Sequence, residues 1–472
     1  MLNRKYAIIL IGTIVALAIG TYIQRAPTGD DAWFAEQSYW FLEDGLIRSE
    51  FFTGLNDWHK ELLVSHKFFL WFGAALMYLF GYDLPVVQFT GLIPFVSLVF
   101  MLIYYLRYRG EKGWTDLVLA MLFLIFANRL MIKISFQNRP EMLLAALGFG
   151  AFLLLFTGRD RPWKTLLAGI LSGLAFVGHM NGIIYLFAGF ATLYILKQYK
   201  KLALFTVAGI GACSLYLIDV LGHPEGVEMW IYQFSNDPAA GNGMNLKKKL
   251  IQMVTYPRLF LHSPEQMALS ALLIYVAFHQ RNRISQLPVA LKIYSTALFV
   301  SFWLITKGNS AMYMVLFIPF MLVLVYELYR IQPFISKGLK ISLLAYLIIG
   351  TVGMGQLIHH NMKFGNLPEN YKSLRPILPE DGTGLVPLTF FFNEYEEFDL
   401  LLSHENYKLH YHKQNLSPQM MAVWGKKMDV DFILFDYEFL KESFYPRPGQ
   451  KILPYYKLTH FDGRFAIYEQ IQ

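Results

Sequence analysis

The sequence predicts a polytopic α-helical membrane protein, about eleven spans plus juxtamembrane helices, with a small C-terminal α/β domain outside the membrane. Three observations predict it. Of 472 residues, 55% are hydrophobic and only 16% charged, too little polar surface to cover a water-soluble body of this size. Apolar stretches near the length of a bilayer crossing recur through residues 1–358. Beyond residue 358 the pattern changes to short alternating runs. The expected division is therefore a membrane domain, 1–358, and an extracytoplasmic domain, 359–472.

The expected spans are 6–23, 85–106, 115–134, 141–157, 165–178, 182–196, 202–220, 264–279, 288–305, 311–328 and 341–358. The first, within MLNRKYAIILIGTIVALAIGTYI, has the look of a signal peptide. No small-residue cleavage site follows it cleanly, so it reads as a retained helix. The apolar stretch 66–80 is ambiguous, and charge decides it. If it does not cross, 17 of the 29 basic residues in 1–358 fall in the connections that share a side with Arg4 and Lys5, joined by only four carboxylates. Letting it cross places nearly every short basic loop outside, against the charge bias that orients helices. Segment 66–80 is therefore expected to be a juxtamembrane helix entering partway. Loop 24–67, turn 135–140, turn 178–181, loop 221–263, turn 306–310 and the C-terminal domain then share the outer face, where function is expected.

The C-terminal portion reads as strands at 383–392, 430–437, 455–461 and 464–471, with helices at 394–404 and 417–428. It carries no Gly-rich phosphate loop, and a lid or acceptor-docking role is expected. Six histidines occur there (His359, His360, His404, His410, His412, His460). Only His410 and His412, on an expected strand, are closely spaced, and a metal site is not expected. Residues 1–358 hold 29 Lys and Arg against 19 Asp and Glu, whereas 359–472 hold 12 against 15. The basic excess belongs to the membrane part, where it orients helices rather than binding nucleic acid. Cys213 is the single cysteine, so no internal disulfide forms. No tandem repeat and no inverted half-to-half symmetry is visible.

Loop 24–67 carries eight carboxylates, seven aromatics before Trp58 and two histidines. Asp30 and Asp31 open an amphipathic helix, AWFAEQSYWFLEDG. Helix capping explains one acidic residue in that first turn, not both. Glu141, in Arg139-Pro140-Glu141, is a second carboxylate at a helix mouth, where it serves the helix dipole or a functional site. His66, Lys67, Arg139, His179 and Lys307 are cations at outer helix mouths. Each alone reads as snorkelling to the interface; together, against the orientation bias, they suggest an anionic ligand such as a lipid phosphate. Lys247, Lys248 and Lys249 read as an amphipathic surface helix meeting lipid headgroups.

Taken in order, these motifs resemble the GT-C superfamily of membrane glycosyltransferases, in particular the bacterial branch related to protein O-mannosyltransferases and lipid A aminoarabinose transferases. The resemblance rests on Asp30-Asp31 with Trp33 and Phe34, and on His66-Lys67-Phe68-Phe69-Leu70 running to Phe80-Gly81. Arg139-Pro140-Glu141, Gly178-His179-Met180-Asn181-Gly182, and Lys307, Asn309, Tyr313 and Pro319 follow. It covers residues 1 to about 330. Asp31 stands where the family usually has Glu, Glu141 where it has Asp, and no Pro-Pro follows Lys67.

The resemblance implies transfer of a sugar from a polyprenyl-phosphate-linked donor to an acceptor hydroxyl on a protein, lipid or glycan, usually with inversion. It implies a bacterial inner membrane with the active site on the extracytoplasmic face. Asp30 would be the general base, with Asp31 and Glu141 positioning the acceptor or stabilising positive charge on the sugar. His66, Lys67, Arg139, His179, Lys307 and Tyr313 would bind the donor phosphate. No cofactor is expected, and dependence on a divalent metal is left open. The rival reading is a lipid or glycan transporter or flippase, which predicts charge deep within spans and matched discontinuous helices; a third is a silent scaffold with an outer interaction domain.

Overall fold

The computed structural model describes residues 4–110, 114–237, 246–306, 308–393, 395–411 and 415–471. From the N-terminus the helices are α1 (Arg4–Gly20), α2 (Gly29–Asp44), α3 (Lys67–Phe80), α4 (Leu84–Arg109), α5 (Trp114–Phe126), α6 (Arg129–Ile134) and α7 (Pro140–Phe156). There follow α8 (Pro162–Gly178), α9 (Ile183–Ile195), α10 (Tyr199–Cys213), α11 (Ile218–Gly222), α12 (Gly226–Ser235), α13 (Leu246–Val254) and α14 (Arg258–Leu261). The membrane part closes with α15 (Pro264–His279), α16 (Val289–Ile305), α17 (Ile318–Ile331) and α18 (Lys337–Phe364), before the short α19 (Leu367–Lys372).

Every expected span coincides with helix. Among the described residues, though, only three helical stretches are long and apolar enough to cross a bilayer on their own: Leu84–Arg109, Tyr199–Gly222 and Lys337–Lys372. The others are shorter because local chemistry interrupts them. Expected span 115–134 breaks after Phe126, where the Asn128 side chain caps α6 by accepting from Met131 N at 3.1 Å. Expected span 311–328 starts as a 3-10 turn, Ala311–Leu316, and becomes α-helical at Ile318, with Pro319 in the first turn. Helix α18 runs beyond the expected end at 358 to Phe364. The bundle is close-packed: an added Cβ on Gly350 would lie 1.9 Å from the Ala127 carbonyl oxygen, so only glycine lets α18 meet the α5–α6 break.

The C-terminal sheet comprises β1 (Thr383–Val386), β2 (Leu400–Ser403), β3 (Phe432–Asp436), β4 (Ile452–Leu453), β5 (Tyr456–Phe461) and β6 (Phe465–Gln470), in the order β2-β1-β3-β6-β5-β4. Strands β2, β1 and β3 are parallel and β6 antiparallel to β3. Helices α20 (His404–His410) and α21 (Pro418–Lys427) connect β2 to β3. Three expectations are corrected here. Segment 394–404 is not a helix: it holds a 3-10 turn at Tyr395–Glu397 and then β2. The helix starts one residue later, because Ser403 caps it by accepting from Asn406 N at 3.0 Å. His410 therefore ends a helix rather than lying on a strand, and His412 falls outside the described residues. Strand 383–392 stops at Val386, before Pro387, and gives way to a 3-10 turn.

The sheet's two faces do different jobs, as its alternating side chains require. Leu385, Ile433, Phe435 and Tyr468 pack with Tyr407, Met421 and Trp424 in the domain's own core. Phe432, Leu434, Leu401 and Ile467 join a second core with Phe34, Tyr39, Phe51, Phe52 and Trp58. Loop 24–67 is thus buried between the helical bundle and the sheet.

Candidate active site

Helix α2 begins at a capping box. The Thr28 Oγ1 accepts from Asp31 N at 3.3 Å, and Asp31 Oδ2 accepts from Thr28 N at 2.7 Å. Asp31 Oδ2 also accepts from the Thr28 hydroxyl at 2.7 Å, and Oδ1 from Asn138 N at 2.6 Å. Asn138 Nδ2 donates back to the Asp31 carbonyl at 3.1 Å. Asp31 is fully buried, and burial raises its carboxyl above the ordinary range against the pull of these hydrogen bonds. These bonds fix the start of α2 and pin turn 135–140 against it.

That pinning delivers Arg139 to Asp30. One guanidinium nitrogen contacts Asp30 Oδ2; the others grip Glu141 bidentately, Nη2 to Oε1 at 2.7 Å and Nε to Oε2 at 3.1 Å. Glu141 is buried in the first turn of α7, while the Asp30 side chain keeps 42% of its surface exposed. The chain between Asp30 and Glu141 thus returns to the membrane face it left.

Beside this triad, the His66 and His179 rings stack with centroids 4.4 Å apart, and His179 meets Tyr313 edge-on at 5.9 Å. The ring of Tyr313 lies within electrostatic reach of both Glu141 and Arg139. His66 immediately precedes α3. Burial first, and then neighbouring His179, push its imidazole well below the ordinary histidine range, with Glu141 partly opposing. Two stacked imidazoles disfavour double protonation. The His179 Nδ1 accepts from Asn181 N at 2.9 Å, which leaves Nε2 as the ring's donor.

Of the expected residues, the fold therefore brings together Asp30, Arg139, Glu141, His66, His179 and Tyr313. Lys67 is built into a different contact. It is fully buried, pairs with Asp219, donates to the Tyr216 carbonyl, and lies 4.3 Å from the centre of the Tyr216 ring. Lys307 falls outside the described residues. Three contributors escaped the sequence reading. Thr28 had a local signal, since Thr-x-x-Asp is close to the capping-box pattern. Asn138 and Asp219 had none, because their partners lie about 107 and 152 residues away in sequence.

A cavity of about 310 Å³, lined by Gln252, Thr255, Arg258, His262 and Asn309, sits beside turn 306–310 and shares no lining residue with the carboxylate cluster. Among the described residues no group of three or more His, Cys, Asp or Glu side chains converges as a metal site.

No protein-family model matches the chain, and no curated protein matches it by sequence. Solved structures do resemble it. ArnT from Cupriavidus metallidurans, bound to undecaprenyl phosphate, superposes with a TM-score of 0.57 at 11% identity, over 99% of this chain and 98% of that one. The oligosaccharyltransferase of Archaeoglobus fulgidus in its apo form gives 0.54 at 12% identity, over 92% of this chain and 70% of that one. The same enzyme tethered to an acceptor peptide gives 0.53. The fold is GT-C. At such identities the likeness speaks for the fold alone. Within this bundle the Asp30–Arg139–Glu141 cluster lies between α2 and the start of α7.

Proposed function

We propose that this protein is an integral-membrane glycosyltransferase that moves a sugar from a polyprenyl-phosphate-linked donor to an acceptor hydroxyl on the extracytoplasmic face, with inversion. The observation that carries this reading is the sharing of Arg139 by Asp30 and Glu141. It supplies a solvent-reaching carboxylate held beside a buried one, with imidazoles and a phenol alongside. The similarity to ArnT bound to undecaprenyl phosphate and to an oligosaccharyltransferase holding an acceptor peptide supports the donor and acceptor classes.

Asp30 takes the proton of the acceptor hydroxyl as its oxygen attacks the anomeric carbon. The new C–O bond forms as the bond from that carbon to the phosphate oxygen breaks, and the electron pair stays on the phosphate. The departing lipid phosphate gains one negative charge, so it needs cations rather than a proton. Glu141 holds the guanidinium of Arg139 through two bonds, so Asp30 is free to turn to the acceptor while Arg139 stays in place. His66, His179 and Tyr313 face the departing phosphate, joined by Lys67 if its pair with Asp219 opens; Lys307 is a further candidate on its sequence position alone. Asp31 is a positioning residue.

The test is transfer of radiolabelled sugar from a polyprenyl phosphate by purified protein, wild type against Asp30→Asn. A loss of about 10²–10⁴-fold is expected for removal of a general base, with an unchanged melting temperature. Full transfer by the variant removes Asp30 from this role. Movement of labelled lipid across vesicles without sugar transfer would instead identify a flippase.

A further inference from the structure

Helix α6 puts Arg129 and Lys133 four residues apart, on one face of a single helical segment of six residues. Like charges at that spacing repel. A third cation joins them, because buried Arg25 donates from Nη2 to the Lys133 carbonyl at 2.7 Å and from Nη1 to the Thr21 carbonyl at 3.3 Å. Lys133 lies within electrostatic reach of Arg25, Arg129, Glu265 and Asp31. His360, on α18, faces the same group together with His359 and Lys363.

The anions present do not balance this set. Glu265, in the first turn of α15, reaches Arg129 only at 3.8 Å. Asp31 has both carboxylate oxygens occupied by Thr28 and Asn138. Lys363 is already paired with Glu438 at 3.0 Å. The Arg129 Nε is buried with no hydrogen-bond partner, and the Lys133 ammonium has no acceptor among the described residues. Partly buried cations left without counter-charge are costly, above all at membrane depth.

The surroundings are those of a lipid mouth. Asn361 ties α18 to the end of α1 by donating to the Thr21 carbonyl at 2.6 Å. The Arg129 side chain lies against Gly353 of α18, where an added Cβ would stand 2.5 Å from Cδ. Next to this junction Ile19, Ile23 and Met362 are 53%, 66% and 73% exposed. Apolar side chains beside uncompensated cations, at the ends of apolar helices, match a ligand with a phosphate head and hydrocarbon tails.

We propose that Arg129 and Lys133 hold the phosphate of an anionic membrane lipid at the mouth formed by α1, α6, α15 and α18, with its acyl chains along Ile19, Ile23 and Met362. The site is separate from the carboxylate cluster and does not depend on the reaction assigned to it. Native mass spectrometry of the full chain, titrated with dioleoylphosphatidylglycerol against dioleoylphosphatidylcholine, tests it. Wild type should retain phosphatidylglycerol in preference, Arg129→Gln/Lys133→Gln should lose at least about fivefold in occupancy, and Arg139→Gln, in the carboxylate cluster, should bind as wild type. Glu265→Gln removes the carboxylate that reaches Arg129, keeps both cations, and should retain more. Equal retention of phosphatidylcholine, undiminished binding by the double variant, or no gain in Glu265→Gln would each overturn the proposal. Displacement of phosphatidylglycerol by millimolar inorganic phosphate, itself retained, would overturn it in favour of free phosphate.

Discussion

Adjacent carboxylates in α2 have opposite fates. Asp30 keeps solvent and an arginine, whereas the Asp31 carboxylate is sealed under three hydrogen bonds. Asp31→Ala should therefore act through stability. Thr28 remains as the N-cap, but the Thr28 and Asn138 N–H groups each lose their acceptor, at about 1–3 kcal/mol apiece. A thermal melt in detergent should show the drop, with activity lost in proportion to unfolded protein; a large loss of activity at unchanged stability would make Asp31 part of the chemistry. His404 offers a pH test. It is fully buried with Nδ1 on the Tyr445 hydroxyl at 2.8 Å, and burial lowers its imidazole to about 3. Above the ordinary histidine value near 6.5 both states are neutral and the folded form keeps its full stability. As pH falls from about 6.5 towards 3 the unfolded chain takes up a proton that the folded one refuses, so stability declines. Melting temperature followed from pH 7.5 to 5 should fall in wild type and fall less steeply in His404→Gln; equal slopes would refute it.

Among elements, the loops hold the site together more than the spans do. Helix α12 locks onto loop 24–67 through one side chain: Gln233 Oε1 accepts from Leu63 N at 2.9 Å, and Nε2 donates to the Glu61 carbonyl at 2.7 Å. Gln233 is buried, so Gln233→Ala removes the partner of the Leu63 N–H and the Glu61 carbonyl, at about 1–3 kcal/mol each, and the longer bonds to Val64 N and the Asn56 carbonyl. Hydrogen exchange should then speed up across residues 61–64 by an order of magnitude or more, while α4 stays protected. Unchanged protection at Leu63 would mean that the clamp is dispensable. The same loop positions His66 against His179 and Lys67 against Asp219. Loosening it should therefore lower sugar transfer as well.

For the whole molecule, the C-terminal sheet and loop 24–67 share one core, joined at its rim by Tyr395 to Glu50 at 2.8 Å and Tyr39 to Glu396 at 2.9 Å. Those contacts place the sheet on the same membrane face as Asp30. The proposed function requires that face to be the outer one, the side that charge bias along the chain predicts. Replacing Cys213, the single cysteine, gives a clean background. In it, Asp381→Cys, in the exposed turn before β1, should react with a membrane-impermeant maleimide in intact cells. Labelling that appears only after permeabilisation would reverse the orientation and, with it, the assignment of the donor.

Composition and hydropathy were enough for the membrane bundle, the placement of its helices and the change of character near residue 358, because each is a local sum over neighbouring side chains. The strands at 432–436, 456–461 and 465–470 were legible for the same reason. The helix expected at 394–404 was not, since pairing of β2 with β1 and capping by Ser403 overrode local preference. Asp30, Glu141 and Arg139 stood out as charges at helix mouths, but their joining did not. Nor did the sequence reveal that Asp31 is buried in a capping box, that Lys67 already pairs with Asp219, or that Arg25, Arg129 and Lys133 gather around one loose ion pair, to Glu265. Each of these depends on which residues meet across a hundred or more positions, and only the packing of helices against one another decides that.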